Sequence, residues 1–217
     1  MAPRRAAALR AASDQSLREH LIATAARLIA RRGTVGLTVR EIAREARVAD
    51  GVLYNHFADK EDLLALAVHA HVQAADQRLG PPPRPGSGTV AANLTAYIDR
   101  SLALHAAVLP AFVGLLGQPG VLARVTTLFS PAAGGGDLGD DLADYLRAEQ
   151  RLGRLPAAAN VEAAATMLNG ACHELVLPHL FGGATPIELP VPPGFADDLV
   201  ATVLNGIGPA SPVASPL

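Results

Sequence analysis

Tyr54, His56 and Lys60 lie close together in the chain and carry a phenol, an imidazole and an ammonium. Each can donate a hydrogen bond to a phosphate oxygen. Asp59 reads as the cap of a helix that begins at Lys60, and the free amides of that first turn are further anion donors. This set of groups points to binding rather than bond breaking. Lys60 is the only lysine, against 17 arginines. The competing chemistry is at Cys172-His173-Glu174 with His179. A zinc-binding H-E-x-x-H helix would need its second histidine where the chain has Leu177, and Pro178 is expected to interrupt the helix. His69 and His71 point to nearly opposite helix faces. The chain has no Walker loop, no G-x-S-x-G and no G-x-G-x-x-G. No catalytic residue, metal site or cofactor is expected.

The elements that would position these donors lie just upstream, in Leu37 to Phe57 (LTVREIAREARVADGVLYNHF). Thr38 and Glu41 form a T-x-x-E capping box, in which hydroxyl and carboxylate each take an orphan amide. Ile42, Ala43 and Ala46 follow as the inward stripe of a short helix. The break falls at Arg47-Val48. A second short helix is expected from Ala49 to Asn55, with Val52 and Leu53 available for packing. Two short helices joined by a tight turn form a helix-turn-helix, whose second helix fits the major groove.

LTVREIAREARVADGVLYNHFADKEDLL resembles the DNA-binding domain of tetracycline-repressor-type (TetR family) transcriptional regulators. The likeness runs from Leu17 to Leu66, and L-Y-x-H-F-x-x-K-x-x-L-L is its most specific part. It implies DNA contacts at Thr38, Arg40, Arg44, Arg47, Asp50, Gly51, Val52, Tyr54, Asn55, His56 and Lys60. Arg40 is the best base reader, because a guanidinium matches guanine in two bonds. Thr38, Tyr54, His56 and Lys60 are phosphate contacts, and Arg44 and Arg47 face the backbone. Gly51 lets the main chain approach, and Val52 suits a thymine methyl. Packing beneath Phe57 is the alternative for Tyr54 and His56. Two positions depart from the family. Arg47 stands where a turn glycine is common, and Ala49 stands where a Ser or Thr cap is usual, with Asp50 as a substitute.

The expected fold is all-α, with about nine helices. The divisions are a flexible arm (1–15), the helix-turn-helix domain (16–62), a larger effector-binding and dimerisation domain (63–208) and a flexible tail (209–217). Ser16 and Glu19 form a second capping box, so the first helix should begin there and end at Gly33. A helix from Asp59 to about Leu79 should link the two domains, with His71 inward. Gly80 to Gly88 (GPPPRPGSG) is a loop. Val90 to Val108 is helical, with Pro110 kinking or ending it. Shorter pieces cover Ala111 to Leu116 and Val121 to Phe129. A Gly-rich loop at Ser130 to Gly136 precedes a helix from Leu138 to about Gly153. Further helices span Ala157 to about Leu180 and Phe195 to Ile207, on either side of a Pro-rich loop from Gly182 to Pro193.

Composition supports this division. Net charge is −2 overall, yet residues 1–47 hold ten arginines against four acids, while residues 63–217 hold seven against twelve. A basic head on an acidic body would orient the protein on a polyanion. The single cysteine excludes an internal disulfide framework and suits a reducing cytoplasm. No uncharged apolar run is long enough to span a membrane.

The resemblance further implies a homodimer formed through the last two helices, a pseudo-palindromic double-stranded operator, and release by a small-molecule effector. A repressor released by an apolar or aromatic compound is the expected function. Candidate effector residues are Tyr97, His105, Phe112, Phe129, Met167, Asn169 and His173, each of which could instead be plain core. The alternatives are a helical protein-binding module without DNA affinity and a small helical enzyme.

Overall fold

The computed structural model describes residues 2–130, 140–180 and 189–207. Among these the chain forms nine helices and no strand: α1 Ala2–Arg32, α2 Val39–Ala46, α3 Asp50–His56, α4 Lys60–Arg78, α5 Val90–Val113, α6 Pro119–Leu128, α7 Asp140–Arg151, α8 Val161–Leu180 and α9 Phe195–Asn205.

The first helix begins at Ala2, not at Ser16. The Ala- and Arg-rich stretch ahead of Ser16 is made of strong helix formers, so the helix runs through the serine and no cap is needed there. Glu19 instead accepts a bond from Gln15 one turn back, at 3.1 Å. The far end follows the expected rule. Gly33 takes a positive φ of 73° and its amide bonds back to Ile29 at 2.8 Å, closing α1 as a left-handed cap does.

One apolar core joins the head to part of the body. Leu21, Ile29, Leu37, Ile42, Leu53, Leu63 and Leu64 from α1–α4 pack with Ala111, Leu115, Val121 and Val125 from the end of α5 and from α6. A boundary drawn at residue 62 therefore falls in the first turn of α4, across a continuous core. A second core, with Leu94, Ile98, Leu146, Leu168, Cys172 and Val176, holds α5, α7, α8 and α9 together.

Neither Pro110 nor Pro178 ends its helix. Pro110 lies inside α5, which continues to Val113 and takes in part of the separate piece expected from Ala111. Pro178 lies inside α8 and does not interrupt it. Each sits within the last turn, where a proline costs one helical bond and little helix remains to be lost. The last helix ends at Asn205, with Gly206 as its C-cap, two residues short of Ile207. The Gly-rich loop after Ser130, the helix start at Leu138, most of the Pro-rich loop from Gly182 and the tail from 209 lie outside the described residues.

The loop at 80–88 is held by a buried carboxylate. Glu149 on α7 is fully buried; it accepts the Gly86 amide at 3.1 Å and pairs with Arg154 at 3.3 Å. Arg100 reaches back to Asp76 and to the Gly80 carbonyl, pinning the end of α4.

Candidate nucleic-acid interface and effector cavity

The head is assembled by short-range bonds legible in its residue types. Thr38 caps α2: its hydroxyl accepts the Glu41 amide at 3.3 Å while the Glu41 carboxylate accepts the Thr38 amide at 2.9 Å. Those bonds, joined by Arg32, hold the Glu41 carboxyl down at about 2. Arg47 then takes φ 60° and ψ 41°, a left-handed cap. It is the only non-glycine residue with positive φ among the described residues. The Val48 amide reaches the Ala43 carbonyl at 3.0 Å, a six-to-one closure that reverses the chain into α3. Ala49 precedes α3 without a side-chain cap. Asp50 does not replace it; its carboxylate lies 3.4 Å from the Arg40 guanidinium instead.

The outer face of this unit carries most of the expected DNA-contacting groups. Thr38, Arg44, Arg47, Gly51, Asn55 and Lys60 are exposed. The Arg40 side chain is 89% exposed and Tyr54 is 64% exposed. Val52 and His56 are half-buried. Tyr54, Asp59 and Lys60 line one shallow crevice, which brings the phenol and the ammonium to the same place. Phe57 is buried in the core, with the Arg18 guanidinium 5.2 Å from its ring centre. Tyr54 shares the crevice with Phe57 but remains largely exposed.

Asp59 caps α4, accepting the Asp62 amide at 2.8 Å. Its carboxylate also receives a two-pronged bond from Arg124 on α6, both arms at 2.7 Å. Arg124, followed by the Asp62 amide, draws the Asp59 carboxyl below its ordinary range. Nothing in the sequence marks this pair, whose members stand 65 positions apart. A second tie joins head to body at the α1–α2 turn. The buried Thr34 hydroxyl donates to the Ala111 carbonyl at 2.8 Å.

In the body, α5, α7 and α8 line an open cavity of about 590 Å³. Four of the seven expected effector residues line it: His105, Phe112, Asn169 and His173. Tyr97 lines a small adjoining recess with His105 and Asn169, its ring tilted against that of Tyr145 with centroids 4.9 Å apart. Phe129 lies elsewhere, against His69 on α4 at 5.0 Å. Met167 faces outward, 57% exposed. Sequence reasoning missed Arg147 and Glu162 at the cavity. They meet at 2.8 Å across the α7–α8 gap, a contact that no local spacing announces. The His105 and His173 rings pack edge to face, 4.2 Å between centroids. Burial, and then the company of His173, hold the His105 imidazole down at about 4. Cys172 is buried behind them, and burial raises its thiol pKa, which makes it a poor nucleophile.

Among the described residues no cluster of three or more His, Cys, Asp or Glu side chains could hold a metal. No described helix is long and apolar enough to cross a membrane.

A family model for bacterial regulatory proteins of the tetR family matches residues 21–67. The transcriptional repressor NemR of Escherichia coli K12 is 31% identical over 90 residues, covering 42% of this chain and 45% of that one. The chain thus matches less than half the length of this curated relative. Two solved structures share the fold. The fatty acid degradation regulator FadR from Bacillus halodurans superposes with a TM-score of 0.61 at 19% identity, over 88% of this chain and 95% of that one. FadR from Bacillus subtilis, solved in complex with stearoyl-CoA, gives 0.56 at 19% identity, over 88% and 99%. These relatives are transcriptional regulators rather than enzymes. Over residues 21–67, which hold the capped α2, the reversal at Arg47 and the Tyr54–Lys60 stretch, the chain is similar to bacterial regulatory proteins of the tetR family.

Proposed function

We propose that the protein is a ligand-responsive transcriptional repressor that binds a pseudo-palindromic operator as a homodimer in the cytoplasm and leaves it when a small apolar or aromatic compound enters the body. The observation that carries this reading is the open face of the head. Arg40, Tyr54 and Lys60 are exposed donors on a unit whose apolar residues are turned inward. A lone module of this size binds weakly, and two copies one helical turn of DNA apart multiply the contacts. The outward apolar residues Met167 and Leu177 on α8, with Leu204 on α9, support pairing through those two helices. The cavity beside α5, and the stearoyl-CoA bound by the Bacillus subtilis neighbour, support a small-molecule site in the body.

The test is selection of duplexes from random DNA by the full chain, followed by titration against salt. A pseudo-palindrome should emerge, with affinity falling steeply as salt rises. Lys60→Ala should weaken every duplex and lower the salt slope by about one. Arg40→Ala should relax preference at one base pair per half-site, by about 1–3 kcal/mol. Recovery of no preferred duplex, or full affinity in both variants, overturns the reading.

A further inference from the structure

Several polar atoms that face the body cavity have no protein partner among the described residues. His105 Nδ1 lies 3.1 Å from the Ser101 hydroxyl. Among the described residues, His105 Nε2, both nitrogens of His173 and the Asn169 amide have no protein hydrogen-bond partner, yet all three side chains line the cavity. Water can serve while the cavity is empty of ligand, but a ligand that displaces the water must return its bonds. Leu104, Val108, Leu109 and Phe112 give the cavity an apolar wall on α5, while Arg147, Glu162 and Thr166 stand on the α7–α8 side.

The charges present are already spent. Arg147 is the one cation lining the cavity among the described residues. Its guanidinium is shared between Glu162 at 2.8 Å and Asp144 at 2.6 Å. Two carboxylates on one guanidinium leave no positive charge for an anionic ligand. His105 does not supply one, since burial and then the neighbouring His173 hold its imidazole down at about 4. A cation would find the one lining carboxylate among the described residues, Glu162, already committed to Arg147.

We propose that the cavity selects an uncharged hydroxylated compound, a phenol or alcohol on an apolar frame, whose hydroxyl is held by the His105–His173–Asn169 edge. A neutral imidazole offers one donor and one acceptor. A hydroxyl answers both from a single atom, whereas a carboxylate only accepts and an ammonium only donates. This proposal rests on the reading of the cavity as the effector site, and names the ligand class for it.

The experiment is calorimetric titration of the full chain with four compounds of matched shape: para-pentylphenol, pentylbenzene, para-pentylbenzoate and para-pentylbenzylammonium. The phenol should bind at least about tenfold more tightly than each of the others, the equivalent of one retained hydrogen bond. His173→Phe and His105→Phe should bring the phenol and pentylbenzene within about threefold of each other, with pentylbenzene still bound as evidence of an intact pocket. Binding of the benzoate or the ammonium as tightly as the phenol overturns the proposal. So does parity of phenol and pentylbenzene on the unaltered protein, or a phenol preference that survives both substitutions. If none of the four binds, the effector-site reading itself fails.

Discussion

Replacing Thr34 by valine should measure how firmly the head is tied to the body. Thr34 is fully buried at the α1–α2 turn, and its hydroxyl donates to the Ala111 carbonyl at 2.8 Å. That carbonyl lies in the last turn of α5, where helical acceptors run out of amide partners. Valine keeps the shape and removes the donor, leaving a buried acceptor unpaired at a cost of about 1–3 kcal/mol. With a urea m-value of about 2–3 kcal/mol per molar, the midpoint should fall by roughly 0.5–1 M. Protein concentration must be held constant, because self-association would add to apparent stability. A second substitution tests the same contact from the other side. A Cβ on Gly114 would sit 2.2 Å from the Thr34 hydroxyl oxygen and 3.0 Å from the Val35 amide nitrogen, so Gly114→Ala should cost about 1–3 kcal/mol. Thr34→Ala removes the atom that the new methyl strikes. The double variant should therefore be less unstable than the sum of the singles, by at least about 0.5 kcal/mol. A Thr34→Val midpoint within about 0.1 M of the unaltered protein, or strict additivity in the cycle, would refute the reasoning.

Three further outcomes follow from local geometry. The folded-state carboxyl of Glu41 sits at about 2, below its ordinary 4.5; the α2 cap is therefore in force above pH 4.5 and fades as pH falls toward 2, so the Thr38 amide resonance should titrate with a midpoint near 2, and a midpoint at the ordinary value contradicts the capping box. His105 sits at about 4 when folded against 6.5 when unfolded, so the unfolded chain binds more protons between those limits. Stability should drop as pH is lowered from 6.5 to 4, and His105→Phe should flatten that slope in denaturation series; an unchanged slope argues against a depressed imidazole. Arg47→Gly should relieve about 1 kcal/mol of left-handed strain while adding chain entropy to the unfolded state, for a net gain of about 0.5 kcal/mol. A fall in melting temperature would contradict that sign.

The head was largely legible because its devices are local. Thr38 with Glu41, Asp59 with Asp62, and Gly33 with Ile29 are each settled within four residues. Sequence reading erred where a local signal met a stronger neighbour. The Ser16–Glu19 box is overridden by helix formers upstream, and Pro110 and Pro178 fall too near helix ends to act as breaks. The ties between head and body were invisible, since Thr34 meets Ala111 and Asp59 meets Arg124 only after the body has folded against α1 and α4. Which of the expected residues line the cavity was half legible: a residue on an apolar helix stripe can face a cavity, a neighbouring ring or open surface, and His105, Phe129 and Met167 illustrate the three.

The exposed ammonium at the start of α4 has a practical consequence. Because the chain spends arginine everywhere else, an amine-directed reagent has one side chain to find, beside the terminal amine. Acetic anhydride would erase that charge, and reductive methylation would keep it while crowding the nitrogen. Charge and bulk at Lys60 can thus be separated on the unmutated chain, with the terminal amine modified alike in both products.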